Sequence, residues 1–326
     1  MNTLARFRPD NFTLALAGTV AFASLLPARG QFAHILDTVT SAVIVLLFFL
    51  HGSKLSRPAI LAGIGHWRLH LLVTASTFAF FPLLGWLASP ALSLFLPREL
   101  VMGILFLCAL PATVQSAIAL TGLARGNIAA AICSASGSTL MGIVFTPLLV
   151  GLLLGHTGNG ADPLQAVGKI ASQLLLPFLV GHLLRPWTAG LLQHAGSKIK
   201  IVDQGSILLV VYAAFSGAVV AGLWQQMPWT AMVVLFVVCA LLLACAMTWC
   251  VWLSRRLGFN TADEATILFC GAQKSLVSGI PMAKVLFAAT AVGPMVLPVM
   301  LFHPMQLMVS AVIAARYGRK TEGKTI

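Results

Sequence analysis

The sequence predicts an all-α membrane protein with ten membrane-spanning helices, and both its composition and its hydropathy pattern support this fold class. Of its 326 residues, 59% are hydrophobic and 9% are charged, whereas soluble domains carry about 25% charged residues. The mean hydropathy is +0.96. Ten apolar stretches are long enough to cross a hydrocarbon core about 30 Å thick, near residues 12–28, 36–51, 69–88, 100–121, 128–154, 165–184, 205–223, 229–253, 264–283 and 292–314.

Two of these stretches, at 107–118 and 269–283, carry polar residues and a proline or glycine in their middles. An interrupted helix in a bilayer leaves backbone N–H and C=O groups without partners, which is tolerated only where protein or a water-filled cavity satisfies them. Each interruption falls in the fourth of five stretches, and five crossings invert the second half relative to the first. The sequence therefore predicts two inverted five-helix repeats, at about 9–155 and 163–316, with a binding site where the breaks match.

The positions of the 20 lysines and arginines predict the topology. With the stretches numbered as spans 1–10, fifteen bases fall on one side of the membrane, four (Arg29, Arg98, Lys169 and Lys284) fall on the other, and Lys274 lies inside span 9. Cytoplasmic loops carry an excess of lysine and arginine. We therefore expect an integral plasma-membrane protein, in a bacterial inner membrane, with both termini in the cytoplasm. The net charge of +12 then reports topology, and no nucleic-acid partner is predicted.

The sequence carries no pattern typical of an enzyme or of a cofactor site. All six cysteines lie within apolar spans, and the acidic residues lie at span ends or in loops. Neither a GxSxG nor an HExxH motif occurs, nor does a glycine-rich phosphate loop. The largest hydrophilic connection, from Arg185 to Asp203, leaves no room for a catalytic domain outside the membrane. An intramembrane enzyme that acts on lipid stays open as the alternative from another class.

Lys274 is energetically unfavourable inside a span, because an ionised lysine at mid-bilayer raises the insertion free energy by about 2.5–3.5 kcal/mol. It follows Gln273 and precedes Ser275 and Ser278 in the second interrupted stretch. One interpretation is a lysine that snorkels from a span end. The other is a functional charge, because no acid lies inside a span to pair with it. Lys274 would then attract a substrate anion or satisfy carbonyl groups at the helix break.

The first interrupted stretch places Thr113, Gln115 and Ser116 just after Pro111, which removes a backbone N–H and kinks its helix. Small hydroxyl residues in membrane helices mostly allow close packing, so we expect packing roles for more than half of those in span 5. His303, beside Pro304, is a candidate proton relay with the same packing alternative. The residues read directly as candidates are Thr113, Gln115, Ser116, Asn127, Ser134, Ser138, Gln273, Lys274, Ser275 and Ser278.

Three motifs follow one another along spans 4 and 5: LPATVQS at 110–116, ARGN at 124–127 and TPLL at 146–149. Further motifs occur in order at 8–10 (RPD), 48–52 (FFLHG), 67–70 (WRLH) and 269–281. Together they resemble the SBF-like branch of the bile acid:sodium symporter superfamily over nearly the whole chain. The resemblance implies a panel domain from helices 1, 2, 6 and 7 and a core domain from helices 3–5 and 8–10. It also implies that discontinuous helices 4 and 9 cross.

The resemblance further implies Na⁺ as a coupling ion near that crossing. Gln115 and Ser116 match a Ser-Asn pair on helix 4, and Thr77 matches a glutamine on helix 3. The glutamate that family members share between two sodium sites falls at Ala272 or Gln273. We therefore expect Na⁺ at Gln115, Ser116 and Gln273, bound weakly or at one site.

Two further departures from the family pattern oppose tight sodium binding. Two hydroxyl ligands on helix 5 align with Ala131 and Ala135, which offer no side-chain oxygen. Lys274 adds a fixed positive charge where a cation would bind.

The function predicted from these features is secondary active transport of a small organic anion by alternating access. The expected partners are that anion and the lipid bilayer, and the chain is not expected to be an enzyme. A regulator of cation flux, or a channel-like protein without an organic substrate, stays open as an alternative within membrane transport.

Overall fold

A computed structural model of the chain describes residues 11–54, 65–154, 168, 171–226 and 228–322. Helices account for most of these residues, and no strand occurs among them. The predicted repeat bounds at 9, 155 and 163, the RPD motif at 8–10 and Lys169 lie outside the described ranges. The predicted all-α class is confirmed for the described chain.

Fourteen helical segments are described, and we number them α1–α14. They are α1 Asn11–Leu25, α2 Gly30–Lys54, α3 Trp67–Leu92, α4 Arg98–Ala109, α5 Gln115–Leu123, α6 Ile128–Leu154, α7 171–183, α8 Arg185–Ala195, α9 Ser197–Val220, α10 Leu223–Gln226, α11 Trp229–Arg256, α12 Thr261–Gly271, α13 Leu276–Leu286 and α14 Ala289–Glu322. Helices α3 and α7 each contain one π-helical turn, at Ser76–Phe80 and Ala171–Leu175.

Five of the described helices are long and apolar enough to cross a membrane: α2, α3, α6, α11 and the part of α14 from Ala291 to Arg319. Shorter apolar helices cover Leu14–Leu25, Ser172–Leu183 and Gln204–Val220. The two interrupted stretches form the pairs α4–α5 and α12–α13, each broken by non-helical residues. The protein is therefore an integral membrane protein with the helix breaks where the sequence predicts them.

The hydrophilic connection from Arg185 to Asp203 is helical rather than irregular. Its residues form α8 and the first turns of α9, and Pro186 lies in the first turn of α8, where a missing N–H costs no helical hydrogen bond. The last span is also longer than predicted, because α14 continues through Pro294, Pro298 and Pro304 to Glu322.

The helices pack in two groups. Helix α2 packs against α7 and α9, and α1 packs against α9. In the second group α14 packs against α4, α11 and α13, and α12 packs against α3, α6 and α11. The groups meet where α9 contacts α13 and α14. This meeting line places α13, the helix that follows the second break, beside the boundary between the groups.

Two buried acids hold the start of α12 in place. Asn260 caps the helix by accepting a hydrogen bond from the Asp263 N–H at 2.8 Å. Asp263 accepts from Asn127 Nδ2 at 3.1 Å, at the start of α6. Glu264 forms a bidentate salt bridge with Arg255 and also accepts a hydrogen bond from the Tyr317 hydroxyl. Negative charge is favourable at a helix N-terminus, so these contacts stabilise α12 while tying it to α6, α11 and α14.

Candidate functional site

The two helix breaks meet in the interior of the protein. Helix α4 ends at Ala109 and α5 begins at Gln115, while α12 ends at Gly271 and α13 begins at Leu276. The Ser275 N–H donates to the Pro111 carbonyl at 2.9 Å, which joins one break to the other. The meeting of the breaks, which the sequence predicts only from their matched positions, is thus a direct backbone contact.

The last carbonyl groups of α4 have no partners within their own helix, and side chains from other helices satisfy them. Cys108 O and Leu110 O accept from Lys274 Nζ at 2.8 and 2.7 Å. Ala109 O accepts from the Thr146 hydroxyl at 2.8 Å. A helix C-terminus carries partial negative charge, so an ammonium group there is favourable.

The third acceptor of the Lys274 ammonium group is Thr77 O, at 2.8 Å. This carbonyl lies in the π-turn of α3, where the Phe81 N–H bonds to Ser76 O instead. The next residue, Pro82, has no N–H to offer, so Thr77 O remains available. The ammonium nitrogen also lies 4.2 Å from the centroid of the Phe81 ring, at cation–π distance.

Lys274 is 1% exposed, so it does not snorkel to the membrane surface. An ammonium group has three N–H donors, and the three carbonyls of Thr77, Cys108 and Leu110 account for all of them. We call this arrangement the carbonyl cage. Of the two functional interpretations, it matches the one in which Lys274 satisfies carbonyl groups at the helix break.

Gln306 of α14 holds the backbone of Lys274. The Lys274 N–H donates to Gln306 Oε1 at 2.8 Å, and Gln306 Nε2 donates to Lys274 O at 2.8 Å. Gln306 Nε2 also lies 2.9 Å from His303 Nδ1, so His303 is a buried, hydrogen-bonded neighbour of the cage. Gln306 is absent from the candidates predicted from sequence, and its only signal is a glutamine two residues after Pro304 in an apolar span.

A neutral polar cluster lies next to the cage, around Gln273. Its Oε1 accepts from the Thr113 hydroxyl at 2.8 Å and lies 3.2 Å from Ser116 Oγ. Ser116 Oγ lies 2.6 Å from Thr113 Oγ1, and Gln273 Nε2 donates to Ser310 Oγ at 3.1 Å. The structure thus brings together three predicted residues and adds Ser310. Gln115, the first residue of α5, is exposed instead.

Three other predicted residues support the breaks locally. Ser275 caps α13 by accepting from the Ser278 N–H at 3.1 Å, and the two hydroxyl oxygens lie 3.2 Å apart. Ser138 accepts from the Ala112 N–H at 2.9 Å. These side chains satisfy backbone groups that the interrupted helices leave without partners.

The remaining predicted residues lie at other positions. Asn127 caps α6 by accepting from the Ala130 N–H at 3.1 Å. Ser134 lies 2.6 Å from His70 Nδ1. Thr77 reaches the cage through its carbonyl rather than its hydroxyl, which is buried and has no hydrogen-bond partner among the described residues.

A cavity of about 470 Å³ lies between the two groups of helices. Lys284, in the last turn of α13, lines it and pairs with Asp37 of α2, with Nζ 3.0 Å from Asp37 Oδ1. Lys284 Nζ also contacts the hydroxyl of Thr40. Apolar side chains of α2, α9, α13 and α14 form much of the wall, and the other polar side chains in it are Ser41 and Gln173.

From sequence, Lys284 is one of four bases on the less basic side of the membrane, and Asp37 is an acid at the start of span 2. Opposite charges at the same predicted membrane face were the available signal. That signal gives no pairing, since the two residues belong to different halves of the chain.

The described residues contain no group of three histidine, cysteine or acidic side chains that could hold a metal ion. Oxygen ligands for a monovalent cation are present in the carbonyl cage and in the Gln273 cluster. In the cage the ammonium group already occupies their centre, and in the cluster Gln273 Oε1 already faces two hydroxyl groups.

The sequence profile of the SBF-like CPA transporter family matches residues 10–319. The chain belongs to this family. The predicted resemblance is thereby confirmed. The protein with these two broken helices is a membrane transporter and not an enzyme.

Three relatives are similar along nearly their whole lengths. An uncharacterized protein of Pseudomonas aeruginosa is 59% identical, with 97% of this chain and 95% of that protein covered. "Putative symporter YfeH" of Escherichia coli is 54% identical over 96% of this chain and 94% of its own. "Sodium/bile acid cotransporter 7" of Rattus norvegicus is 28% identical over 96% of this chain and 94% of its own.

Proposed function

We propose that this protein is a secondary active transporter of an amphipathic organic anion, which moves through the cavity beside Lys284 by alternating access. The observation that carries this proposal is a cavity between two separately packed groups of helices. Many of its lining side chains are apolar, and Lys284 supplies a positive charge at one end. Alternating access in transporters is largely the rocking of one group of helices against another around such a site.

The proposed architecture has ten spans in two inverted repeats. In it, α4–α5 and α12–α13 are the discontinuous fourth and ninth helices. The panel consists of α1, α2, α7 and α9, and the core contains α3, α4–α5, α6, α11, α12–α13 and α14. The packing of α1, α2, α7 and α9 with one another supports this division. The charge asymmetry supports an orientation in a bacterial inner membrane with both termini in the cytoplasm.

The chemistry of the cavity selects the substrate class. A volume of about 470 Å³ falls within the range of about 300–1,000 Å³ typical of pockets for drug-sized ligands. The apolar walls suit a hydrocarbon body, and Lys284 suits a carboxylate or sulfate at one end. The name of the Rattus norvegicus relative refers to bile acid, an amphipathic anion of this kind.

Helix α13 connects this cavity to the carbonyl cage. Its N-cap is Ser275, next to Lys274, and Lys284 lies in its last turn, roughly 13 Å further along the helix axis. A rigid helix with the cage at one end and the cavity at the other transmits a displacement of the core to the substrate. We propose that Lys274 fixes the helix crossing in the role that a coupling cation has in a sodium-coupled transporter.

Two substitutions with opposite expected effects test the role of the cavity. Asp37 competes with a substrate anion for Lys284, so Asp37→Asn should strengthen anion binding several-fold, while Lys284→Gln should weaken it about tenfold or more. The measurement is the thermal shift of purified protein with steroid and aromatic carboxylates and sulfates. Uncharged methyl esters of the same carboxylates are the matched ligands. Equal shifts in the parent and both variants, or equal shifts with the esters, would contradict an anion site at Lys284.

Sodium coupling is the second quantity to measure. We propose that Na⁺ binds weakly, at a single site formed by Ser116, Gln273 and neighbouring oxygens, because Lys274 occupies the carbonyl cage. Gln115 contributes only if its exposed side chain turns inward. We expect a small, non-cooperative rise in unfolding temperature as NaCl replaces choline chloride at constant ionic strength. Two tight and cooperative sodium sites would show that the cage does not stand in for a cation.

A further inference from the structure

A second cavity, of about 560 Å³, opens at the end of α11 and lies away from both Lys274 and Lys284. Its walls come from α11, α12 and α14, and they include the apolar side chains of Met247, Val251, Leu268 and Ile313. Arg255, Arg256 and Tyr317 also line it. We call it the α11 groove. Helices α11 and α14 are long and apolar enough to cross a membrane, so we expect the apolar walls of the groove to face hydrocarbon and its basic end to lie at the membrane surface.

Arg255 is held in a fixed position at this basic end. Its Nε and Nη2 atoms donate to Glu264 at 2.8 and 3.0 Å, and Glu264 also accepts from the Tyr317 hydroxyl. The Glu264 side chain is 8% exposed, whereas the Arg255 side chain is 65% exposed. A guanidinium group has five N–H donors, and this pairing uses two of them. The Arg255 guanidinium group is therefore preorganised, and its remaining N–H groups can donate to an acceptor at the mouth of the groove.

Arg256 adds a second positive charge beside an aromatic ring. Its Cζ atom lies 5.8 Å from the centroid of the Trp252 ring, and Trp252 is 49% exposed. Tryptophan is enriched at the membrane–water interface, where its ring lies at headgroup level. The groove thus combines two arginines, an interfacial tryptophan and an apolar channel.

We propose that the α11 groove binds an anionic phospholipid, with its phosphate between Arg255 and Arg256 and an acyl chain along the apolar wall. Arginine and phosphate form charge-assisted, often bidentate hydrogen bonds. Basic pockets between membrane helices bind anionic headgroups for this reason. A zwitterionic lipid is bound more weakly, since its ammonium group brings a positive charge next to the two arginines.

The test is native mass spectrometry of the purified full chain with phosphatidylglycerol and phosphatidylcholine of identical acyl chains. Arg256→Gln should weaken phosphatidylglycerol binding about fivefold, as expected for one arginine near a headgroup. Thr248→Trp should also weaken it, because Thr248 is an exposed residue of the groove wall and the indole fills the channel. The matched controls are Arg98→Gln, an exposed arginine of α4, and Leu241→Trp, a 60% exposed residue of α11 outside the groove.

The proposal stands if both groove variants lose phosphatidylglycerol while both controls keep it. It is overturned if the two lipids bind equally, or if the controls lose as much lipid as the groove variants. Displacement of the lipid by inorganic phosphate alone would overturn it in favour of a soluble-anion site. A dimer that Thr248→Trp dissociates would overturn it in favour of a partner helix in the groove.

Discussion

Replacement of Lys274 by alanine is expected to abolish anion transport and to lower the free energy of unfolding, since each buried polar group left without a hydrogen bond costs about 1–3 kcal/mol. The substitution leaves the carbonyls of Thr77, Cys108 and Leu110 buried without a donor. Lys274→Arg should not restore activity, because a planar guanidinium group does not fit three carbonyls that converge on a compact ammonium group. The loss of transport is measured as uptake of an anion that stabilises the parent protein. The loss of stability is measured by thermal unfolding.

The same variant should respond to cations more strongly than the parent does. With the ammonium group gone, the three carbonyls form an oxygen site for a small cation. Sodium or methylammonium should therefore raise the unfolding temperature of Lys274→Ala more than that of the parent. Lys284→Ala is the matched control, since it removes a lysine ten positions along the chain without opening the cage. Parent-like transport by Lys274→Ala, with no added cation response, would refute the proposed role of Lys274.

The second large effect concerns the contact between α2 and α7. A Cβ atom at Gly52 would lie 1.9 Å from Phe178 O, and one at Gly181 would lie 2.0 Å from Phe49 O. Both obstacles are backbone atoms, so the helices must separate to admit a methyl group. Overpacking of this kind costs about 1–3 kcal/mol, and more where backbone must move. Gly52→Ala and Gly181→Ala should each reduce the yield of folded protein and lower its unfolding temperature.

Gly190→Ala provides the control for this prediction. Gly190 lies within α8, and a Cβ atom there meets nothing within 4 Å. Alanine is a better helix former than glycine by about 1 kcal/mol, so this variant should be as stable as the parent or more stable. Parent-like unfolding of Gly52→Ala would show that α2 and α7 are not packed as tightly as described, and would weaken the case that they move as one body.

At the two helix breaks, the sequence predicts where the chain is interrupted but not which side chains face one another. Pro111 with the polar residues after it, and the polar run around Lys274, predict two breaks, because a proline removes a backbone hydrogen bond and nearby polar side chains can satisfy the backbone groups that a break leaves without partners. The need to satisfy a buried lysine also follows from sequence. Neighbouring residues of one helix differ in direction by about 100°, however, and sequence alone did not show that Ser116 faces Gln273 while Gln115 faces outward.

The sequence by itself determined the membrane setting, the helical class, the positions of both breaks and the presence of an unpaired lysine at one of them. These properties depend on hydropathy and on backbone chemistry within a segment. Only the tertiary structure decided that the lysine bonds to carbonyls of α3 and α4, that Gln306 holds its backbone, and that Lys284 pairs with Asp37 across the cavity. These contacts join residues far apart in the chain, and they depend on how each helix is rotated and placed against its neighbours, which the periodicity of a single helix does not specify.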